Sequence, residues 1–211
     1  MKPYGVLTFI LALVLAIPSV ALAQEEQEEE DTEGAGLRTD LVINALPASI
    51  LVEIDSDKFA VTSRDGRRTT ISTVYTMPNI AAGVGLEIEK LYVDLTAGVG
   101  LLINDTFRSF LVQAAVAGTF AVSESLTLGP RAGVVHFTDP EWLEDDSVDF
   151  DGATGWLLGA QLAMGDKIMY LVSVDLINVD FETDFRMGAV SEDDELDLTG
   201  LAVQFGVRGE F

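Results

Sequence analysis

The sequence predicts an all-β protein, an antiparallel up-and-down transmembrane β-barrel of eight strands, and three observations predict it. From residue 40 onward apolar and polar residues alternate with a period of two, the mark of strands whose successive side chains point to opposite faces. Short turns and long loops largely alternate as connections, which sets the two kinds on opposite rims. After residue 23 no segment has the ~18 consecutive apolar residues of a membrane-spanning helix.

The elements follow in chain order. Lys2, the apolar stretch 6–17 with Thr8 inside it, Pro18 and Ala21-Leu22-Ala23 make residues 1–23 a secretory signal peptide. That stretch would rise roughly 18 Å as a helix, too little for a hydrocarbon core of roughly 30 Å, so cleavage after Ala23 is expected rather than an anchor. No cysteine follows for lipidation. Residues 24–39 are expected to be an acidic disordered segment, since 24–33 hold seven acids and no apolar side chain to bury. Residues 40–211 are the barrel.

Its first strand lies within residues 41–76, where 49–55 and 58–62 both read as extended; either one strand runs over 48–62 or a hairpin turns at Asp55-Ser56-Asp57. Strands at 78–88 and 91–103 join at Glu89-Lys90. In the latter, Leu91, Val93, Leu95, Ala97, Val99, Leu101 and Ile103 oppose Tyr92, Asp94, Thr96, Gly98 and Gly100. Strands at 108–121 and 125–137 pair across residues 122–124, with Phe110, Val112, Ala114, Val116 and Phe120 as outward candidates. Those at 153–164 and 168–181 pair across Gly165-Asp166-Lys167, and the last ends in Leu201, Val203, Phe205, Val207, Gly209 and Phe211 on one face. Only Asn104-Asp105-Thr106 is short where a long loop is expected.

Charge is segregated rather than spread. The formal net charge is -23, from 12 basic and 35 acidic residues, yet the mean hydropathy is +0.31. Residues 24–33, 139–152 and 182–197 hold seven acids each, so 21 of the 35 sit in these runs and leave the strands apolar. A pI of about 4.1 excludes a nucleic-acid footprint. The lack of cysteine excludes a disulfide scaffold and thiol chemistry, and with His136 as the one histidine no cofactor is implied.

A soluble lipocalin-like barrel shares the strand period but turns its apolar face inward. Here the polar face carries Gly, Ala, Thr, Ser and Gln with few long charges, which suits a narrow lumen more than a solvated exterior. Aromatics gather near the strand ends. Tyr170 and Phe211 lie close to the short turns, and Phe107, Phe137, Trp142, Trp156, Phe181 and Phe185 close to the long loops, so two interfacial girdles are expected.

With its signal peptide, eight alternating strands and a final strand bearing Phe205, Val207 and a terminal Phe211, the chain resembles the small eight-stranded outer-membrane proteins of the OmpA, OmpX and OmpW kind over residues 40–211. The resemblance implies insertion in a Gram-negative outer membrane, contact with its lipid and lipopolysaccharide, and assembly by the barrel-assembly machinery, which would read Phe205, Val207 and Phe211. The expected function is a non-enzymatic structural or surface-interaction role with acidic loops outside. The other readings are a narrow pore for ions or small apolar solutes, a barrel enzyme resembling the lipid A deacylases, and a soluble periplasmic carrier.

Four groups are candidate sites. Glu87, Asp94, Arg131, Asp175 and Arg208 share the polar face and are expected to form a lumen charge network, a salt-bridged plug rather than an ion path. Arg64, Arg67 and Arg68 form the one basic cluster of the mature chain, a candidate contact for lipopolysaccharide phosphates. Asp145, Asp146, Asp149, Asp193 and Asp194 are weak candidates for divalent cations, without the spacing of a dedicated calcium loop. His136 is expected by parity with Val134 to face lipid, beside Thr138 and Glu141, but these three do not meet the spacing a nucleophile, base and orienting acid require.

Overall fold

The computed structural model describes residues 38–54, 59–62, 66, 68–88, 91–143, 148–185, 190–191 and 195–211. Eight strands of ten or more residues make a wall: β1 (Arg38–Glu53), β2 (Asn79–Ile88), β3 (Leu91–Ile103), β4 (Phe107–Ser123), β5 (Leu126–Trp142), β6 (Ala153–Gly165), β7 (Ile168–Asn178) and β8 (Gly200–Glu210). Each runs antiparallel to the next, and β8 pairs antiparallel with β1 from Val42↔Glu210 to Glu53↔Gly200. The fold is thus an all-β, antiparallel, barrel-like sheet. Leu41 and Phe211 exchange backbone hydrogen bonds of 2.9 and 3.0 Å, carrying the seam to the last residue.

The two faces of the wall are inverted relative to a water-soluble protein. Along β4, Phe110 is 60% and Phe120 55% exposed, while Gln113 and Thr119 are 3% and 1% exposed. The same holds around the wall: Ile80, Val99, Leu158 and Phe205 lie on the exposed face, and Asp94, Arg131, Asp175 and Gln204 on the buried one. In water each exposed large apolar side chain would forgo roughly 1.5–3 kcal/mol of burial. Against hydrocarbon that penalty vanishes.

β1 departs from the expected first strand. It begins at Arg38, inside the segment assigned to the acidic tail, and ends at Glu53; the hairpin alternative fails because Ala60–Thr62 pairs with Arg68–Thr70 and Val190–Ser191 instead of with β1. The physical reason is Pro47. Its pairing with β8 shifts register between Ala45 and Ala48, while on its other side β1 passes from β2 at Leu46↔Asn79 to Val74–Thr76 at Ile50↔Thr76. Pro47 therefore stands opposite Met77-Pro78, and two residues without N–H groups meet in one stretch of wall. The ladder continues through Met77 N–H to Ser49 C=O at 3.2 Å and Leu101 N–H to Pro78 C=O at 3.1 Å. A groove of about 640 Å³ opens here on the exposed face, between Pro47, Pro78, Ile80, Val99 and Phe110.

The turns follow from local chemistry. Gly165 has φ 142°, a conformation that favours glycine, where β6 turns into β7. Asn104 explains the short link between β3 and β4, because its Oδ1 accepts from the N–H groups of Thr106 at 2.8 Å and Phe107 at 2.5 Å, an Asx turn. Beyond the same long-loop rim, Asp180–Phe185 pairs with Val148–Phe150 and Glu195–Asp197. Phe181, Leu196, Val148 and Phe150 are buried there, whereas Asp180↔Asp197, Glu182↔Glu195 and Asp184↔Asp149 put carboxylates directly opposite one another.

Candidate functional site

The interior has a polar layer beneath an aromatic one, and the strands dictate the order. Inward positions on β5 read Arg131, Gly133, Val135 and Phe137 toward the long-loop rim, and those on β8 read Arg208, Gly206, Gln204 and Ala202. Arg208 grips Asp94 of β3 through Nη1 and Nη2, the second bond measuring 2.7 Å, and its Nε donates to Glu210 at 2.9 Å. Gln161 Nε2 donates to Asp94 at 3.3 Å. One level up, Arg131 Nη1 donates to Asp175, Ser173 Oγ to Gln204 Oε1 at 2.9 Å, and Gln204 Nε2 to Ser49 Oγ at 3.2 Å. A Cβ on Gly159 would fall 2.0 Å from the Val174 carbonyl oxygen and 2.6 Å from Asp175 Oδ1, so glycine is what lets β6 pass beneath this ion pair.

These pairs are buried, with side-chain exposures of 4% and 3% for Arg208 and Asp94 and 6% and 1% for Arg131 and Asp175. Asp94 meets Arg208 from a distant strand, and Asp175 meets Arg131 across the single strand β6 with Gly159 between them; such pairing is the condition for keeping ions out of water. Above these pairs Gln113 Nε2 donates to Asn79 Oδ1 at 3.0 Å.

The aromatic layer fills the long-loop end. Phe107 makes edge contacts with Tyr75, Phe150 and Phe181 at centroid distances of 6.1, 5.5 and 5.9 Å, and Phe59 contacts Trp142 and Phe150 at 6.1 and 5.8 Å. Leu102, Leu111, Leu157, Ile177 and Leu198 belong to the same buried cluster. Phe107, Phe137, Trp142 and Phe181 therefore do not form the expected girdle: they are 1%, 0%, 3% and 0% exposed and point inward. Nearness to the loops suggested an interface, but parity with Leu111 and Val135 already placed Phe107 and Phe137 on the inner face. The exposed aromatics near this rim are Phe110 and Trp156, and Phe120, Tyr170, Phe205 and Phe211 lie toward the short turns.

Of the lumen charges, Asp94, Arg208, Arg131 and Asp175 meet as two pairs. Glu87 does not join them. It sits at the short-turn rim, accepting from Tyr92 Oη at 2.9 Å and lying 3.8 Å from Arg38, beside a cavity of about 610 Å³ whose walls include Lys167 and Glu210. Phe205, Val207 and Phe211 are exposed on the outer face of the last strand and its end. Arg68 is exposed at the start of Arg68–Thr70, and Asp149 is half-buried opposite Asp184. Arg64, Arg67, Asp145, Asp146, Asp193 and Asp194 lie outside the described residues.

His136 is 6% exposed, so its expected open contact with lipid is wrong although its strand pairing, Val112 on one side and Thr154 on the other, keeps the predicted parity. Its Nδ1 is 2.8 Å from Thr154 Oγ1, and Glu141 is engaged by Arg108 at 2.6 Å. Histidine and acid thus have other partners, and no triad is assembled. Among the described residues no group of three or more His, Asp or Glu side chains is placed to hold a metal ion.

No known protein family matches the chain, and no curated protein does. Among solved structures, the outer membrane protein OprG from Pseudomonas aeruginosa aligns over 86% of this chain and 99% of that one, with a TM-score of 0.52 and 10% identity. The fold is that of a small outer-membrane β-barrel protein. Outer membrane protein AlkL, solved in DMPC lipid bilayers, aligns over 88% of this chain and 96% of its own at 16% identity and a TM-score of 0.45. The likeness is one of fold.

Proposed function

We propose that the chain is a non-enzymatic integral outer-membrane protein, a closed barrel of eight strands whose interior is plugged and whose role is structural or at the cell surface. The carrying observation is the pair of buried ion pairs, Asp94 with Arg208 and Arg131 with Asp175, inside a wall whose exposed face is apolar. The pairing of β1 with β8 supports closure. In this reading residues 1–23 are removed on export, both mature ends face the periplasm and the acidic loops face outward. Arg64, Arg67 and Arg68 pair with lipopolysaccharide phosphates, while Asp145, Asp146, Asp149, Asp193 and Asp194 share divalent cations with anionic lipid; the facing carboxylates of Asp149 and Asp184 favour such cations. The barrel-assembly machinery reads Phe205, Val207 and Phe211.

Single-channel recording in planar bilayers tests the plug. The native protein should show no unitary steps, and the Asp94→Ala, Arg131→Ala double variant should show them if it inserts. Frequent steps from the native protein would overturn the plugged reading.

The aromatic layer favours a second reading over ion conduction: if anything enters the loop-side interior, it is a small apolar solute, since the cluster from Phe59 to Leu198 offers hydrocarbon and ring faces rather than charge.

A further inference from the structure

We propose that the loop-side interior is a binding site for a small aromatic molecule carrying one hydrogen-bond-accepting oxygen, such as an aryl ketone or ester, with the Trp142 indole N–H as the group that selects it. The inference rests on the apolar-solute reading and narrows it to a chemical class. Trp142 is 3% exposed, and its Nε1 has no hydrogen-bond partner among the described residues. Buried indole N–H groups are ordinarily paired, because leaving one unmade forfeits its hydration without return. Tyr75 Oη, at the same end, is already committed to Glu53 Oε1 at 2.9 Å. The Trp142 donor therefore stands uncommitted among rings.

The shape of the ligand follows from Phe59. Its ring lies 6.1 Å from Trp142 and 5.8 Å from Phe150, closing the box beside the indole. The adjoining strand, Ala60–Thr62, pairs with Arg68–Thr70 and Val190–Ser191, in a sheet separate from the wall. Phe59 can consequently withdraw without breaking a wall ladder. A ligand ring in its place keeps both aromatic contacts, and a carbonyl oxygen on that ring meets Trp142 Nε1. The cluster around the indole offers hydrocarbon and ring faces to such a ligand.

The test uses the full mature chain in lipid nanodiscs, labelled with ¹⁵N-tryptophan. The sequence has two tryptophans, and Trp156 is on the exposed face, so Trp156→Phe assigns the Trp142 indole resonance. The probes are acetophenone and ethylbenzene, nearly equal in size and differing in one carbonyl. Acetophenone should move the Trp142 indole resonance saturably and bind about fivefold tighter than ethylbenzene, the worth of one net hydrogen bond. Phe59→Ala should tighten both probes, and Trp142→Phe, followed through the methyl signals of Leu102 and Leu111, should erase the preference. Equal binding of the two probes would overturn the selective role of Trp142 while leaving the apolar-solute reading intact. Saturable binding of neither, in native and Phe59→Ala protein alike, would overturn both, with heat-modifiable gel mobility confirming that each sample is folded.

Discussion

Asp94 and Arg208 meet in the interior although their strands, β3 and β8, are not neighbours in the wall. The pair therefore bridges the interior rather than decorating one ladder. Removing one partner leaves a buried charge uncompensated, which costs about 3–5 kcal/mol. Asp94→Ala should lower the unfolding free energy by that amount in urea titrations of the protein in lipid vesicles, and Asp94→Leu with Arg208→Met should recover most of it.

Val116 tests which solvent the outer face meets. It lies within β4, 46% exposed, between the inward-facing Ala115 and Ala117. In a bilayer Val116→Arg should cost roughly 2–4 kcal/mol at the midplane. In a soluble barrel an exposed arginine would be tolerated, so an unchanged urea midpoint would count against the membrane assignment.

Deleting Phe211 removes the two backbone bonds with Leu41 and the exposed terminal ring. If the ring serves recognition, the heat-modifiable fraction recovered from cells should fall several-fold while refolding of purified protein into lipid changes little. Equal losses in both settings would assign Phe211 to the seam alone.

The facing carboxylates predict a stability that responds to salt. Like charges directly opposite across strands are destabilising, and those at Glu182↔Glu195 lie on exposed positions. Glu182→Lys should stabilise the loop strands by about 0.2–1 kcal/mol, read as slower amide exchange at Phe181 and Leu196. The gain should shrink as ionic strength rises from 10 mM toward 1 M, where the screening length is about 3 Å.

Strand order and facing were legible because the side-chain period of two is local: Leu91 to Ile103 and Leu201 to Phe211 can be assigned without knowing any partner. That Asp94, Arg131, Asp175 and Arg208 share the inner face and pair was likewise readable, since unpaired buried charge is costly. β1 was less legible because Pro47 and the register shift beside it interrupt the alternation, and the strand is completed by partners far along the chain. The aromatic cap was misplaced for a different reason. Position along a strand was given more weight than parity for Phe107, Phe137 and Phe181, whereas Trp142 follows a register shift between Arg108 and Phe110 that parity alone does not cross. Glu87 shared the correct face but lay too near the rim to reach the interior pairs.

The bonds between Leu41 and Phe211 join residues far apart in the sequence. Hairpins such as β6 with β7 can zip as soon as they emerge, but this last ladder must wait for the entire chain and closes the largest loop in the molecule. Until then β1 and β8 each present an open edge able to recruit a strand from another copy. The interval before β1 and β8 pair is thus when the polypeptide is most prone to aggregate, and its two seam strands are where that tendency is greatest.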